Sequence, residues 1–228
     1  MAGPRELVET MAEALGIPAT TLVVYDRSLL EAGLRSKHGR GRGAPIVTAR
    51  DAAHLLTAVL ASPLVKDSVH SVERYAATCA RRSEAGNGFE ALGIAELTAL
   101  TERSSFVDGL EALFTAVASG SLRAALGLQR QDADLPLIQV APLITVMATT
   151  PATIGEIRLG GVRRKTAAVL YALHERDGDG GAGEPAAKDF EEAVEHYRAD
   201  TDLEQQRRVS TRTIIRVGKL LANERRAS

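Results

Sequence analysis

The chain has 228 residues, 45% hydrophobic and 25% charged, the balance of a globular protein with a buried core. Trp is absent and aromatics are 4%, so the core rests on Ala, Leu, Val and Ile; no apolar run reaches the roughly 20 residues of a membrane span, and the start lacks a secretory signal's apolar stretch, which reads as cytoplasmic. The net charge of −1 is segregated: six cations from Arg27 to Arg50 face only Glu31, eleven anions from Glu175 to Glu204 face three cations, and the last 24 residues carry seven cations against Glu224.

Residues 5–15 predict a helix, with Leu7, Met11 and Leu15 on one face. Gly16 supplies the stop and Pro18 the start of a second helix, running from Ala19 to about Ala32 with Gly33 beyond it. Two short helices joined through Gly-Ile form a helix-turn-helix, whose second helix enters the major groove of DNA. The stretch from Leu34 to Pro45 is basic and glycine-rich, and the apolar pair Ile46-Val47 follows it. Thr48 is a helix N-cap, with Asp51 in the first turn of a helix over 49–61. Helix, turn, helix, basic hairpin, helix is the order of a winged helix-turn-helix that binds double-stranded DNA.

The run from Gly16 to Arg27 resembles the second helix of MerR-type transcriptional regulators, with their Gly-Val turn, Thr-Ile pair and Tyr-Glu-Arg. Gly39-Arg40-Gly41-Arg42 and Thr48-Ala49-Arg50-Asp51 fall where that family has its wing and next helix. The resemblance covers about residues 4–61 and implies Thr20 and Thr21 facing the groove, Tyr25 and Arg27 on phosphates, and Arg40 and Arg42 in the wing. Arg35 and Lys37 join this candidate DNA-binding set by their charge and place. The chain departs from the family at Val23, where an arginine is usual, and in its longer 28–34 stretch. It also lacks the wing aromatics and the long dimerising helix. Plainer readings stand beside these: Tyr25 as a core aromatic, Arg27 paired with Glu31 along the helix, and the Gly-Arg stretch as a solvated loop.

Ser62-Pro63 ends this unit. Residues 64–82 predict a helix with Val69, Val72, Tyr75, Ala76 and Cys79 on one face; 83–88 a loop; 89–101 and 106–119 two packing helices, with Gly120 closing the second. Cys79 is the only cysteine, so an internal disulfide is impossible, and the five histidines show no metal-ligand spacing. Strand-like runs follow at 137–140, 143–147 and 153–159, and Gly160-Gly161 reads as a two-residue hairpin leading to a strand over 162–172. The Asp-Gly repeats after Asp177 lack an EF-hand's closing glutamate. Gly178, Gly180 and Gly183 match a dinucleotide fingerprint by letter, but acidic neighbours would repel a pyrophosphate. The stretch 189–204 is acidic and partly helical. A strand at 205–209 and a basic helix over 211–223 capped by Ser210 end the chain.

The expectation is an α+β protein: an N-terminal winged helix-turn-helix over 1–62, a helical connecting region over 63–130, and a small antiparallel sheet with helices over 131–228, for dimerisation or partner binding. No enzyme motif stands out, so catalysis, metal and cofactor are not expected. The leading function is a sequence-specific regulator of transcription, of phage or prophage type, acting on duplex DNA as a homo-oligomer, a dimer first. The alternatives are a DNA-packaging recognition subunit resembling phage small terminases, which would form a larger ring, and a protein–protein adaptor touching RNA polymerase or a phage protein.

Overall fold

The computed structural model describes residues 2–36, 46–81, 89, 93–125, 144–160, 166–173 and 204–225. The chain enters through α1 (Pro4–Leu15), where the Gly3 amide donates to the Glu6 carboxylate at 2.7 Å. Gly16 ends this helix in the left-handed region, φ 71°, where a side chain would be strained, and its amide returns to the Ala12 carbonyl. Pro18, with φ −59°, is then the cap residue of α2 (Ala19–Glu31). The third helix, α3 (Ala49–Ala61), begins in a capping box: the Thr48 hydroxyl accepts from the Asp51 amide, and the Asp51 carboxylate accepts from the Thr48 amide at 2.8 Å.

After a single 3-10 turn (Val65–Asp67), α4 (Ser68–Ala76) is short, and the expected helix over 64–82 stops there. The Thr78 hydroxyl donates to the Tyr75 carbonyl at 2.7 Å, which in a continuing helix would accept from Cys79. Residues Thr78–Arg81 are instead strand β1, and Cys79 is half-buried in that strand rather than on a helix. The expected helix over 89–101 is likewise reduced to α5 (Ala95–Thr98) among the described residues, since Gly93 turns the chain at φ 64° and Ile94 is extended. The long α6 (Phe106–Ser119) runs as its periodicity predicts, opened by a Ser105/Asp108 capping box and closed by left-handed Gly120, and α7 (Ser121–Ala125) follows.

The remaining strands are β2 (Ile144–Thr150), β3 (Ile154–Gly160), β4 (Thr166–Leu173) and β5 (Gln205–Ser210), and the last helix is α8 (Thr211–Arg225). Among the described residues the five strands form one antiparallel sheet in the order β1-β4-β3-β2-β5. Register pairs Gly160 with Thr166, so Gly160-Gly161 is not a two-residue hairpin and the connection spans 161–165. The strand expected at 137–140, the loops at 83–88 and 177–185, and nearly all of the acidic stretch lie outside the described residues. The molecule is α+β, with its first three helices followed by helices and a small antiparallel sheet. Among the described residues no helix is long and apolar enough to cross a membrane.

The core centres on α6, which packs against α3, α8 and the sheet. Its Phe106 ring sits between Tyr75 and Tyr171, with centroids 5.3 and 5.7 Å away in tilted and edge-on contacts. Two glycines permit this approach. A Cβ on Gly109 would stand 2.3 Å from the Tyr171 hydroxyl oxygen, and one on Gly155 would stand 2.3 Å from the Phe106 ring. One contiguous apolar cluster extends from Ala2 and Leu7 through α3 and α6 to Leu221, and α1 and α2 share it.

Candidate nucleic-acid interface

Helix α2 buries one stripe, Leu22, Tyr25 and Leu29, against the core. Positions on the opposite side, Thr20, Val23, Val24, Arg27 and Glu31, are exposed, and Thr21 is half-buried on the flank. The candidate groove helix is therefore not sealed within the protein. Tyr25 lies on the inner stripe, only 5% exposed, and its hydroxyl donates to the Ser62 carbonyl at 3.1 Å. That is the core-aromatic reading of this residue, and its hydroxyl is turned away from the outer face.

The described cations of the basic segment are each held by a carboxylate. Arg27 meets Glu31 at 2.8 Å on the helix surface, with side chains 77% and 65% exposed, a pair worth only a few tenths of a kcal/mol. Arg35 turns inward to Asp26, Nε to Oδ1 3.0 Å, where both side chains are nearly buried. These atoms touch at ion-pair distance without a hydrogen bond's alignment. Burial pushes the Asp26 carboxyl above its ordinary range, Arg35 opposes the shift, and neighbouring Asp51 adds to it. Arg50 reaches across to Asp108 and to Glu111, the latter at 3.0 Å, and so fastens α3 to α6. Arg35 and Arg50 thus serve the interior and the helix contacts. Lys37, Arg40 and Arg42 lie outside the described residues, which place only the two ends of their segment.

Those two ends meet at one side chain. The Asp51 Oδ1 accepts from the Ser36 amide at 2.8 Å, and its Oδ2 accepts from the Thr48 amide at 2.8 Å and the Thr48 hydroxyl at 2.9 Å. A single buried carboxylate therefore closes the root of the chain from 37 to 45. The flanking residues 34–36 and 46–48 are irregular rather than strand. Leu34 returns its amide to the Leu29 carbonyl at 2.9 Å, and its own carbonyl receives the His54 Nδ1. Burial holds the His54 imidazole below its ordinary range, and the Leu34 carbonyl acts against that shift. The turn after α2 is thereby locked onto α3. The nine residues between Ser36 and Ile46 contain Lys37, His38, Arg40 and Arg42 and no carboxylate.

Sequence reasoning missed Arg207 on β5, whose Nη1 donates to the Val59 and Ser62 carbonyls at 3.0 and 2.9 Å and satisfies the end of α3. It also missed the link from Arg216 on α8 to Glu13 on α1, at 2.7 Å. Both partners are nonlocal and leave no signal in spacing. Arg208, Arg212 and Lys219 stay exposed on β5 and α8.

A cleft of about 540 Å³ lies between α4 and the β2–β3 turn, and its lining includes Asp67, His70, Arg74, Tyr75 and Gln205. Two of these side chains are committed to backbone carbonyls. The Tyr75 hydroxyl bridges the Thr149 and Ile154 carbonyls at 2.7 and 3.2 Å, and Arg74 donates to the Pro151 carbonyl at 3.0 Å. Burial drives the Tyr75 hydroxyl well above its ordinary range, so it stays protonated. Among the described residues no group of three or more His, Cys, Asp or Glu could hold a metal ion. No family model, no curated protein and no solved structure matches this chain.

Proposed function

We propose that this protein binds double-stranded DNA as a sequence-specific transcriptional regulator in the cytoplasm. Its α2 enters the major groove, with Thr20 and Thr21 near the helix start facing the bases, where groove helices make their contacts. Lys37, Arg40 and Arg42 hold flanking phosphates, and Arg27 leaves its weak, exposed pair with Glu31 to join them. Tyr25 and Arg35 support the surface from behind by fixing α2 and its turn.

One observation carries this reading. The Asp51 carboxylate gathers both ends of a carboxylate-free cationic segment, and it does so close enough to α2 to act on the charge of Asp26. Cations whose segment begins just past the end of a helix with an exposed face fit a duplex, which offers a groove flanked by two rows of phosphate. The MerR-like run from Gly16 to Arg27 agrees with this use of α2.

The experiment is affinity for a duplex across a salt series, with Arg40→Ala/Arg42→Ala beside the wild type. The double variant should weaken binding to every duplex and flatten the log–log salt slope by about 0.9 for each phosphate that is no longer neutralised. An unchanged slope would remove the basic segment from the interface, and absence of duplex binding by the wild type would end the proposal.

A further inference from the structure

The outer face of α2 is a single stripe. Thr20, Val23, Val24 and Arg27 stand at i, i+3, i+4 and i+7, one side of a helix, while Leu22, Tyr25 and Leu29 occupy the other. Val23 is 53% and Val24 49% exposed. Neither fills the core, and β-branched residues are among the poorer helix formers. Apart from Arg27, which the reading above assigns to phosphate, the stripe carries no side chain with a bidentate head group, and the neighbouring Ser28 hydroxyl donates to the Val24 carbonyl at 3.0 Å. What the stripe offers is methyl groups.

In the major groove the thymine C5 methyl is the distinctive apolar feature of the base edges. Resting on the reading of α2 as the groove helix, we infer that α2 recognises thymine methyl groups through Val23, Val24 and the Thr20 methyl. Its target is thereby defined by A·T pairs rather than by guanine contacts. Charge supports a duplex as the occupant of this face. In the free protein Arg27 is paired with Glu31 and Arg35 with Asp26. The next charges along the chain are Lys37, Arg40 and Arg42, with no anion among them.

The test uses the full chain. Duplexes are first selected from a random pool, and each thymine of the bound site is then replaced by deoxyuridine, which removes only the methyl. Affinity should fall about fourfold for each methyl that α2 touches, the worth of one buried carbon. A Val23→Ser/Val24→Ser variant, checked for an unchanged unfolding midpoint, should bind more weakly and no longer distinguish thymine from deoxyuridine. Selective binding that ignores the replacement, or a variant that still senses it, would overturn this inference and leave the DNA-binding proposal standing. A fall in molar mass on making the valine variant would overturn it too, by showing that the valines cover a second copy. No salt-dependent duplex binding at all would remove both.

Discussion

Helices α2 and α6 have nearly the same length, 13 and 14 residues, and opposite circumstances. Helix α6 buries Phe106, Val107, Gly109, Leu110, Leu113, Phe114 and Ala116, because α3, α8 and the sheet surround it. Helix α2 buries Leu22, Tyr25 and Leu29 and leaves two valines in solvent. The first helix holds the molecule together. The second is held by it, through Arg35 to Asp26 and Tyr25 to Ser62, and presents a face the fold does not consume. A surface that adds little stability yet is carefully positioned is where binding residues belong.

The largest consequence falls on α6. Phe106→Ala removes the ring between Tyr75 and Tyr171 and should cost about 3–5 kcal/mol in urea unfolding. A loss under about 1 kcal/mol would show that α6 is not the hub. Next comes the support of α2. Arg35→Ala leaves Asp26 nearly buried without its cation and should cost roughly 3 kcal/mol, and adding Asp26→Asn should restore much of the loss. If the second change deepens the loss instead, the pair is not what anchors this turn.

A smaller effect, with a pH signature, belongs to Asp108. Burial disfavours its charge, but hydrogen bonds from Ser105 and Arg50 outweigh burial and hold its carboxyl below its ordinary 3.8. Its contribution is thus present above that value and fades as pH falls through the lowered folded value. Asp108→Asn should cost about 1–2 kcal/mol at neutral pH by weakening the cap and removing the ion pair, and the gap from wild type should close in strong acid. An equal gap at every pH would assign the loss to packing. Smallest is the outer face of α2, where Val23→Ser/Val24→Ser should shift stability by no more than about 0.5 kcal/mol per site.

The same contrast separates what could be read in the sequence from what could not. The Thr48/Asp51 cap, the stops at Gly16 and Gly120 and the apolar periodicity are local, so α1, α3 and α6 were legible to within a residue or two. Strand β1 was not, because the apolar spacing of Val72, Tyr75 and Cys79 continues through it, and its partner β4 lies far down the chain. Charge misled in a similar way. The charge count grouped Arg35 and Arg50 with the segment's other cations, while the fold gives one to Asp26 and the other to Asp108 and Glu111. The exposed side of α2 follows from its periodicity. Its isolation from the rest of the molecule, and the role of Asp51 as a clasp, required the tertiary structure.

Amide hydrogen exchange with and without saturating duplex DNA bears most directly on the use of α2. Residues 19–27 and the segment 37–45 should slow markedly on adding duplex, while α6, already enclosed, should not change. Duplex binding that leaves α2 untouched, with protection instead on α8 or around the α4 cleft, would contradict the assignment of α2 as the groove helix.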